Sequence, residues 1–221
     1  MARTRSGYLA FMSRTASSPR VLILVVVVVI VAAGLAWWKL RTGPDVAVLG
    51  DSITVVSNDQ IKDALGRDYH PDIAAVLGIT AGEMVPAAQT AAQKNPEQVV
   101  IELGSNDVLK KDPLDQAAQH LRDLVAQFPK AKCVHLVTIN SHMTDAGKPV
   151  APRAGLLNAA IVQIKASDPR IDLIDWNGAV SDAMAAHGGK ETLTSDTVHP
   201  NGDGAKVLAT LIRAGLDRCP K

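Results

Sequence analysis

The sequence predicts an α/β domain in which helices cover both faces of a five-stranded parallel sheet. Apolar runs of strand length alternate along the chain with stretches whose apolar residues have helical spacing, and this alternation is typical of a parallel sheet. The strand runs are mostly apolar and do not alternate regularly between apolar and polar residues, which indicates burial on both faces of the sheet. With 221 residues, the chain has room for one such domain and an additional segment.

Each predicted strand is a short apolar run followed by a glycine or a polar residue. The strands span Val46–Leu49, Ile73–Leu77, Val99–Leu103, Val134–Ile139 and Ile171–Ile174. Helices are predicted from N-terminal caps, from Gly or Pro residues that end a helix, and from apolar faces. They span Asn58–Leu65, Ala81–Lys94, Pro113–Phe128, Ala154–Ser167, Gly178–His187 and Asn201–Leu216.

The additional segment is predicted to be a membrane anchor. Val21–Trp38 is a run of 18 residues without a charge, and such a helix spans roughly 27 Å, close to the hydrocarbon thickness of a bilayer. Two tryptophans end the run, as is typical of a membrane interface. A cleaved signal peptide, which would give a secreted protein, is the alternative. The predicted divisions are a basic tail at 1–20, a transmembrane helix at 21–40, a linker at 41–45 and a domain at 46–221.

Charge is distributed unevenly between these parts. Residues 1–41 contain six basic and no acidic residues, whereas the remainder contains 17 basic and 22 acidic residues. Four arginines precede the apolar run and two basic residues follow it, which favours a cytoplasmic tail and an extracytoplasmic domain. Because a domain with excess acid lacks the basic patches that bind phosphates, no nucleic-acid partner is expected.

Polar loops follow the carboxyl ends of the predicted strands. Ser52 follows the first strand in the run Gly-Asp-Ser, the loop 78–82 follows the second, and the loop 104–107 follows the third. Asn140 and Ser141 follow the fourth strand, and the loop 196–199 precedes the last helix. Ligands of open parallel sheets bind beyond the carboxyl ends of the strands. We therefore expect these five segments to form one site.

The residue types in these loops fit nucleophilic catalysis. The Ser52 hydroxyl needs an adjacent base to accept its proton, and His199 is the predicted base. Asp196 lies three positions earlier, where its carboxylate can orient the imidazole and stabilise the imidazolium. The alternative interpretation is structural, with Ser52 in an ordinary turn and Asp196 capping the last helix.

An acyl-transfer reaction also needs hydrogen-bond donors for its oxyanion. We predict three donors: the N–H of Ser52, the N–H of Gly82 and the side-chain amide of Asn106. Gly78 in the same loop as Gly82 is the alternative second donor. Each of these residues could instead have a structural role in a turn.

Together these loops resemble the SGNH hydrolases, also called the GDSL esterase and lipase superfamily. The resemblance covers 46–217 and implies a flavodoxin-like three-layer α/β/α sandwich, preceded here by the predicted transmembrane helix. It implies catalytic roles for Ser52, His199 and Asp196. The supporting residues of the matching motifs are Gly50, Asp51, Gly104 and Asp107. The chain departs from the usual pattern at Ile53, where many members have leucine, and at Ala81, where serine often precedes the glycine.

The resemblance implies an acyl-enzyme on Ser52 and two possible acceptors for its acyl group. Water as acceptor would make the protein an esterase that acts on an envelope carbohydrate, glycolipid or lipid, which is the favoured prediction. A sugar hydroxyl would make it an acyltransferase, and a non-catalytic glycan-binding module is a further alternative. Ile174-Asp175-Trp176 is similar to a stretch of such transferases. No metal-ligand spacing or nucleotide-binding motif occurs, so no cofactor or metal is expected.

The two cysteines are placed at the same edge of this predicted fold. Cys133 begins the fourth strand, at the edge opposite the site, and the last helix runs from the site back towards Cys219. A disulfide between them is therefore predicted, and it would form in an oxidising compartment outside the cytosol.

Overall fold

A computed structural model describes residues 19–41 and 43–220, with the side chains of 23–34 and 43–220. The chain divides into two compact units at Arg41. The first unit contains one described helix, α1 (Pro19–Arg41). Within the described residues, no helix combines the length and the apolarity needed to cross a membrane. Positions 1–18 of the predicted tail and position 42 of the predicted linker lie outside the described residues. The transmembrane anchor stays a prediction.

In the described part of the second unit, five parallel strands form one sheet. These strands and a short antiparallel hairpin are β1 (Asp45–Gly50), β2 (His70–Ala75), β3 (Gln98–Glu102), β4 (Cys133–Val137), the hairpin strands β5 (Thr144–Asp145) and β6 (Lys148–Pro149), and β7 (Ile171–Ile174). The order in the sheet is β2-β1-β3-β4-β7. This is the flavodoxin-like order, and the predicted five-stranded parallel sheet is confirmed.

Helices cover the sheet on both sides in the described part of this unit. They are α2 (Ser52–Val56), α3 (Asn58–Leu65), α4 (Val85–Ala92), α5 (Ser105–Leu109), α6 (Leu114–Ala126), α7 (Ala151–Ser167), α8 (Trp176–Ala186) and α9 (Gly202–Asp217). Side chains on α4, α6 and α7 belong to one hydrophobic core, and those on α3, α8 and α9 belong to another. The result is a three-layer α/β/α sandwich.

Strand β1 shows why the sheet needs a helical layer on each face. Ala47 and Leu49 belong to the core with α4, α6 and α7, whereas Val46 and Val48 belong to the core with α3, α8 and α9. Neighbouring side chains of a strand point to opposite faces, so a continuously apolar strand contributes to both cores. The sequence pattern is explained by this double burial.

The second strand differs from its prediction. It was expected at Ile73–Leu77, but β2 begins three residues earlier and ends at Ala75. It is an edge strand, and its pairing ends where Gly50, the last residue of β1, pairs with Ala75. Val76 and Leu77 therefore lie beyond the paired strand, and their side chains are exposed. Apolarity alone could not reveal where the partner strand stops.

The short helices α2 and α5 and the hairpin were not predicted. Each helix has five residues, which is too short to display a periodic apolar face. Helix α4 was expected from Ala81 but begins at Val85. The preceding residues form turns in which backbone N–H groups are bound by side chains, including that of Asp107. These elements depend on contacts with distant residues.

The predicted disulfide is confirmed. Cys133 at the start of β4 is bonded to Cys219 across a sequence separation of 86 residues, with a Cα–Cα distance of 6.0 Å. Cys219 follows the end of α9. The bond therefore joins the last helix to the sheet at the amino end of β4, opposite the edge where the polar loops meet.

Candidate active site

The nucleophile candidate lies in the tight turn between β1 and α2. Strand β1 ends at Gly50, where a Cβ atom would lie 2.0 Å from the Oγ1 atom of Thr54, so only glycine fits. Asp51 caps α2 by accepting a 2.8 Å hydrogen bond from the N–H of Ile53. Ser52 is the first residue of α2. The position of Ser52 is thus fixed by the buried strand before it and by the capped helix that it begins, and Gly50 permits the turn between them.

The loop before α9 carries a histidine and a carboxylate in contact. Asp196 Oδ2 lies 2.7 Å from Nδ1 of His199, and Asp196 Oδ1 accepts the backbone N–H groups of Val198 and His199. Burial raises the pKa of Asp196, but these hydrogen bonds and the nearby imidazole outweigh it and hold the pKa below its usual value of 3.8. The carboxylate is therefore ionised at neutral pH and accepts the Nδ1–H of the ring.

The two loops meet although they are far apart in sequence. His199 Nε2 lies 2.9 Å from Ser52 Oγ, across a separation of 147 residues. With the ring proton on Nδ1 facing Asp196, Nε2 is free to accept the serine proton, as a general base must. The predicted meeting of hydroxyl, imidazole and carboxylate is present in the structure.

Asn106 is brought to the serine turn by α5. Gly104 precedes this helix with a φ of 117°, a conformation that side chains other than hydrogen strongly disfavour. The Nδ2 atom of Asn106 donates a 3.0 Å hydrogen bond to Asp51 Oδ2. One amide proton is used in this bond, and the second remains available for an oxyanion next to Ser52.

The loop that contains Gly82 is tied to the same helix. The N–H of Ala81 donates a 3.0 Å hydrogen bond to Asp107 Oδ2, next in sequence to Asn106. A Cβ atom on Gly82 would lie 2.6 Å from the ring of His120, so the loop passes close to α6. Among the described residues, the N–H groups of Gly82 and Ser52 have no hydrogen-bond acceptor. These contacts favour Gly82 over Gly78 as the second donor, which stays a prediction.

A family model for the GDSL-like lipase and acylhydrolase family matches residues 48–207. The chain belongs to this family. The match spans every loop described above, from the end of β1 into α9. Among proteins with curated functions, none has a significant sequence match to the chain.

Several solved structures share the fold of the chain at low sequence identity. They include the catalytic domain of a peptidoglycan O-acetyltransferase from Streptococcus pneumoniae, with 22% identity, a TM-score of 0.64 and coverage of 80% of this chain and 95% of that one. An acetyl xylan esterase, AlAXEase, has 22% identity, a TM-score of 0.67 and coverage of 77% and 98%. Another from Geobacillus stearothermophilus has 20% identity, a TM-score of 0.66 and coverage of 80% and 96%. By its family, this GDSL-like protein is an acyl-ester enzyme.

Two buried carboxyl groups lie behind the serine of this GDSL-like protein, and one of them was not predicted. Asp51 is fully buried, and Glu102 at the end of β3 is 2% exposed. Burial raises the pKa of Asp51 to about 6, against the opposing hydrogen bonds from Ile53, Glu102 and Asn106 and the charge of His199. Glu102 follows an apolar strand residue and precedes a leucine, so no sequence signal distinguished it.

Asn140 is a second residue whose role the sequence did not reveal. Its side chain is buried, and Nδ2 donates a 3.0 Å hydrogen bond to the carbonyl of Thr197 in the histidine loop. Thr197 has a φ of 72°, and its hydroxyl contacts both the backbone N–H and the hydroxyl of Thr144 at 3.0 Å. The only available signal was the position of Asn140 after β4.

Residues 174–176, similar in sequence to a stretch of acyltransferases, have a structural role here. The Asp175 carboxylate caps α8 by accepting the N–H of Gly178 and also accepts the hydroxyl of Thr138, and the Trp176 side chain is buried in the core. This stretch therefore does not discriminate between the two acyl acceptors. Over the described residues, no three His, Cys, Asp or Glu side chains cluster as metal ligands would.

Proposed function

We propose that this protein is a serine esterase that cleaves an acyl ester of an envelope carbohydrate or lipid through an acyl-enzyme. The observation that carries the proposal is the hydrogen-bonded series from Asp196 through His199 to Ser52. Both contacts lie within the distance range of a hydrogen bond. The carboxylate accepts from the imidazole, and the imidazole can accept from the serine hydroxyl, as nucleophile activation requires.

In the first half of the proposed reaction, Ser52 Oγ attacks the ester carbonyl carbon while His199 Nε2 accepts the serine proton. The imidazolium is stabilised by the Asp196 carboxylate. The tetrahedral oxyanion receives hydrogen bonds from the N–H groups of Ser52 and Gly82 and from the side-chain amide of Asn106, and such donors are worth roughly 3–4 kcal/mol each. The bond to the alcohol oxygen then breaks, and His199 returns the proton to the leaving alcohol.

In the second half, water attacks the acyl carbon of the acyl-Ser52 ester and His199 accepts the water proton. The tetrahedral species collapses, the acid leaves, and the proton returns to Ser52 Oγ. The His199 side chain is 37% exposed and the Asp196 side chain 53% exposed, whereas Ser52 is only 7% exposed, so the histidine loop forms the open side of the site. This accessibility supports a substrate whose alcohol part is large, such as a glycan.

A second candidate function is acyl transfer to a sugar hydroxyl. It is favoured by the likeness in fold to the peptidoglycan O-acetyltransferase domain, although the acetyl xylan esterases have the same fold. The acyl-enzyme is common to both reactions, and only its acceptor differs. Product analysis with an acylated glycan, with and without an added oligosaccharide acceptor, distinguishes them: release of free acid alone supports the esterase, and acylated acceptor supports the transferase.

We propose further that the domain is extracytoplasmic and held at a membrane by its N-terminal helix. Within its own unit, the side chains from Ile23 to Val31 are exposed and apolar, which is costly in water and favourable in lipid. The Cys133–Cys219 disulfide supports an oxidising compartment. Fractionation of native cells, followed by alkaline extraction and protease protection, tests both location and orientation.

The nucleophile assignment is tested by intact-mass detection of an acyl adduct and by labelling with a fluorophosphonate probe. The wild type should gain one acyl group or one probe on Ser52, and Ser52→Ala should gain neither. Ser57→Ala is a matched control, because Ser57 is buried five residues away and its hydroxyl has no partner among the described residues. Equal labelling of wild type and Ser52→Ala would overturn the assignment.

A further inference from the structure

Glu102 and Asp51 place two carboxyl groups side by side beneath the proposed nucleophile. The register of the sheet pairs Gly50 at the end of β1 with Glu102 at the end of β3, and Asp51 is the next residue of the chain. Both side chains are almost wholly excluded from solvent. Among the described residues, no Lys or Arg forms an ion pair with either of them.

The donors around the two groups differ in kind. Asp51 accepts the N–H of Ile53 at 2.8 Å through Oδ1 and the side-chain amide of Asn106 at 3.0 Å through Oδ2. Glu102 Oε2 accepts the hydroxyl of Thr54 at 2.9 Å. Burial and the register of β1 and β3 make the carboxyl groups of Asp51 and Glu102 neighbours in the same buried site, and a hydrogen bond between two carboxyl groups requires that one of them carries a proton.

The proton belongs to Glu102. Burial first, and then the negative charge of Asp51, raise the pKa of Glu102 well above its usual value. Two adjacent carboxyl groups in a low-dielectric site cannot both be ionised at low cost. Asp51 is the better site for the charge because the charge of His199 and the hydrogen bonds from Ile53 and Asn106 favour its ionised form, whereas the pKa of Glu102 is raised further by burial and by the charge of Asp51. Glu102 is therefore a neutral acid that donates to the Asp51 carboxylate.

We propose that Glu102 is a positioning residue for acyl transfer: its neutral carboxyl group fixes the Asp51 carboxylate, which holds the amide of Asn106 with its second proton directed at the oxyanion. The inference rests on the proposed function, because it assigns Asn106 to the oxyanion. Glu102 itself does not touch the substrate. It acts through two hydrogen bonds in series, from Glu102 to Asp51 and from Asn106 to Asp51.

Substitution of Glu102 by a neutral donor and by apolar residues tests this role. In Glu102→Gln, the amide can donate to Asp51 and its carbonyl can still accept from Thr54, so kcat should stay within about threefold of wild type. In Glu102→Leu, no donor remains, and kcat should fall about 10- to 100-fold with KM little changed. Glu102→Met is the second apolar variant if the leucine variant does not fold. Thr54→Val is the matched control for loss of the Thr54 hydrogen bond alone.

A double-mutant cycle shows whether Glu102 acts through Asn106. In the Asn106→Ala background, Glu102→Leu should lower kcat by less than about threefold, because the group that it positions is already absent. An undiminished loss in that background would overturn the proposal, as would a Glu102→Gln enzyme as impaired as Glu102→Leu. These measurements use the full chain and a chromogenic acetyl ester.

An NMR measurement, which does not depend on turnover, tests the positioning role of Glu102 separately from the proposed esterase activity. In ¹⁵N-labelled full-length protein, the side-chain amide signals of Asn106, identified by their loss in Asn106→Ala, should keep their positions in Glu102→Gln and shift or broaden in Glu102→Leu. If these signals behave so while wild type neither turns over esters nor reacts with the fluorophosphonate, the proposed function fails but the positioning stands. If the signals are the same in all variants, the positioning role is wrong.

Discussion

The Asn140 side chain donates a 3.0 Å hydrogen bond to the backbone carbonyl of Thr197, the residue after Asp196 in the histidine loop. Thr197 has a φ of 72°, a left-handed conformation that costs a threonine roughly 1–2 kcal/mol. The bonds from Asn140 and Thr144 hold it there. In this conformation the backbone turns between Asp196 and His199, and their side chains come into contact.

Replacement of Asn140 by Asp should impair catalysis even in the folded variant, although a carboxylate at this buried position also lowers stability. The variant keeps an acceptor for the N–H of His142 but loses the donor to Thr197, so the histidine loop is less well fixed. We expect kcat to fall about tenfold with a smaller change in KM, measured by steady-state ester hydrolysis. Asn95→Asp is the control, because it makes the same side-chain change at an exposed position away from Thr197. Equal kcat values in both variants would contradict this role of Asn140.

Replacement of Asp196 by Asn should remove most of the activity and leave the fold intact. With the amide oxygen held by the N–H groups of Val198 and His199, the amide nitrogen faces Nδ1 of His199 and favours the wrong ring tautomer. A loss of about 10²–10⁴-fold in kcat is expected, measured with the same ester. Asp203→Asn, on the exposed first turn of α9, is the matched control and should be neutral. An active Asp196→Asn enzyme would leave His199 without its proposed partner.

Acid should destabilise the domain through His135 in β4. Burial, aided by the charge of Arg218 and opposed by Asp172, lowers the pKa of His135 from 6.5 to about 4. Because the unfolded chain binds this proton first, stability is retained above pH 6.5 and is lost as the pH falls towards 4. The loss should be about 3 kcal/mol.

Urea unfolding at several pH values measures this effect. His135→Gln should reduce the loss of unfolding free energy between pH 6.5 and pH 4, whereas His187→Gln, with a more exposed histidine at the end of α8, should not. An unchanged pH dependence in His135→Gln would show that other groups are responsible.

Loss of the disulfide should lower stability without lowering the turnover of folded enzyme. The bond closes a loop of 86 residues, for which the chain-entropy model gives about 4–5 kcal/mol. Because it joins β4 and α9 at the edge away from Ser52, the Cys133→Ser, Cys219→Ser double variant should keep kcat in the range where it is folded. Denaturant unfolding and active-site titration of this variant, compared with the oxidised wild type, provide the measurement. A large fall in kcat of the fully folded variant would contradict the separation of the two sites.

Much of the sheet could be predicted because burial on two faces produces a local and unambiguous pattern. Val46–Leu49 is a continuous apolar run, and Ile171–Ile174 is apolar except at Asp172. Their predicted bounds lie within one residue of β1 at each end and coincide with β7. The edge strand β2 was placed too late, because it is only partly buried and its apolar residues continue into the loop at Val76 and Leu77. β7 is also an edge strand, but its apolar residues end with the strand at Ile174 and its bounds were predicted correctly. The error at β2 therefore comes from the apolar residues that continue beyond the strand.

The positions of Ser52, Asp196 and His199 could be predicted because each lies in a short motif with a recognisable local geometry. Glu102 and Asn140 could not, because their importance comes from hydrogen bonds to loops 48 to 57 residues away in sequence. Each of these two residues has an ordinary local setting, at the end of a strand or just after one. Only their partners distinguish them.

By itself, the sequence determined the α/β class, the two buried faces of the sheet and the residues able to carry acyl-transfer chemistry, since these depend on side-chain type and local periodicity. The tertiary structure alone decided that Glu102 meets Asp51 and that Asn140 holds Thr197. The physical reason is that a hydrogen bond forms only at contact distance, and contact between loops follows from strand order and register, which no local stretch of sequence contains.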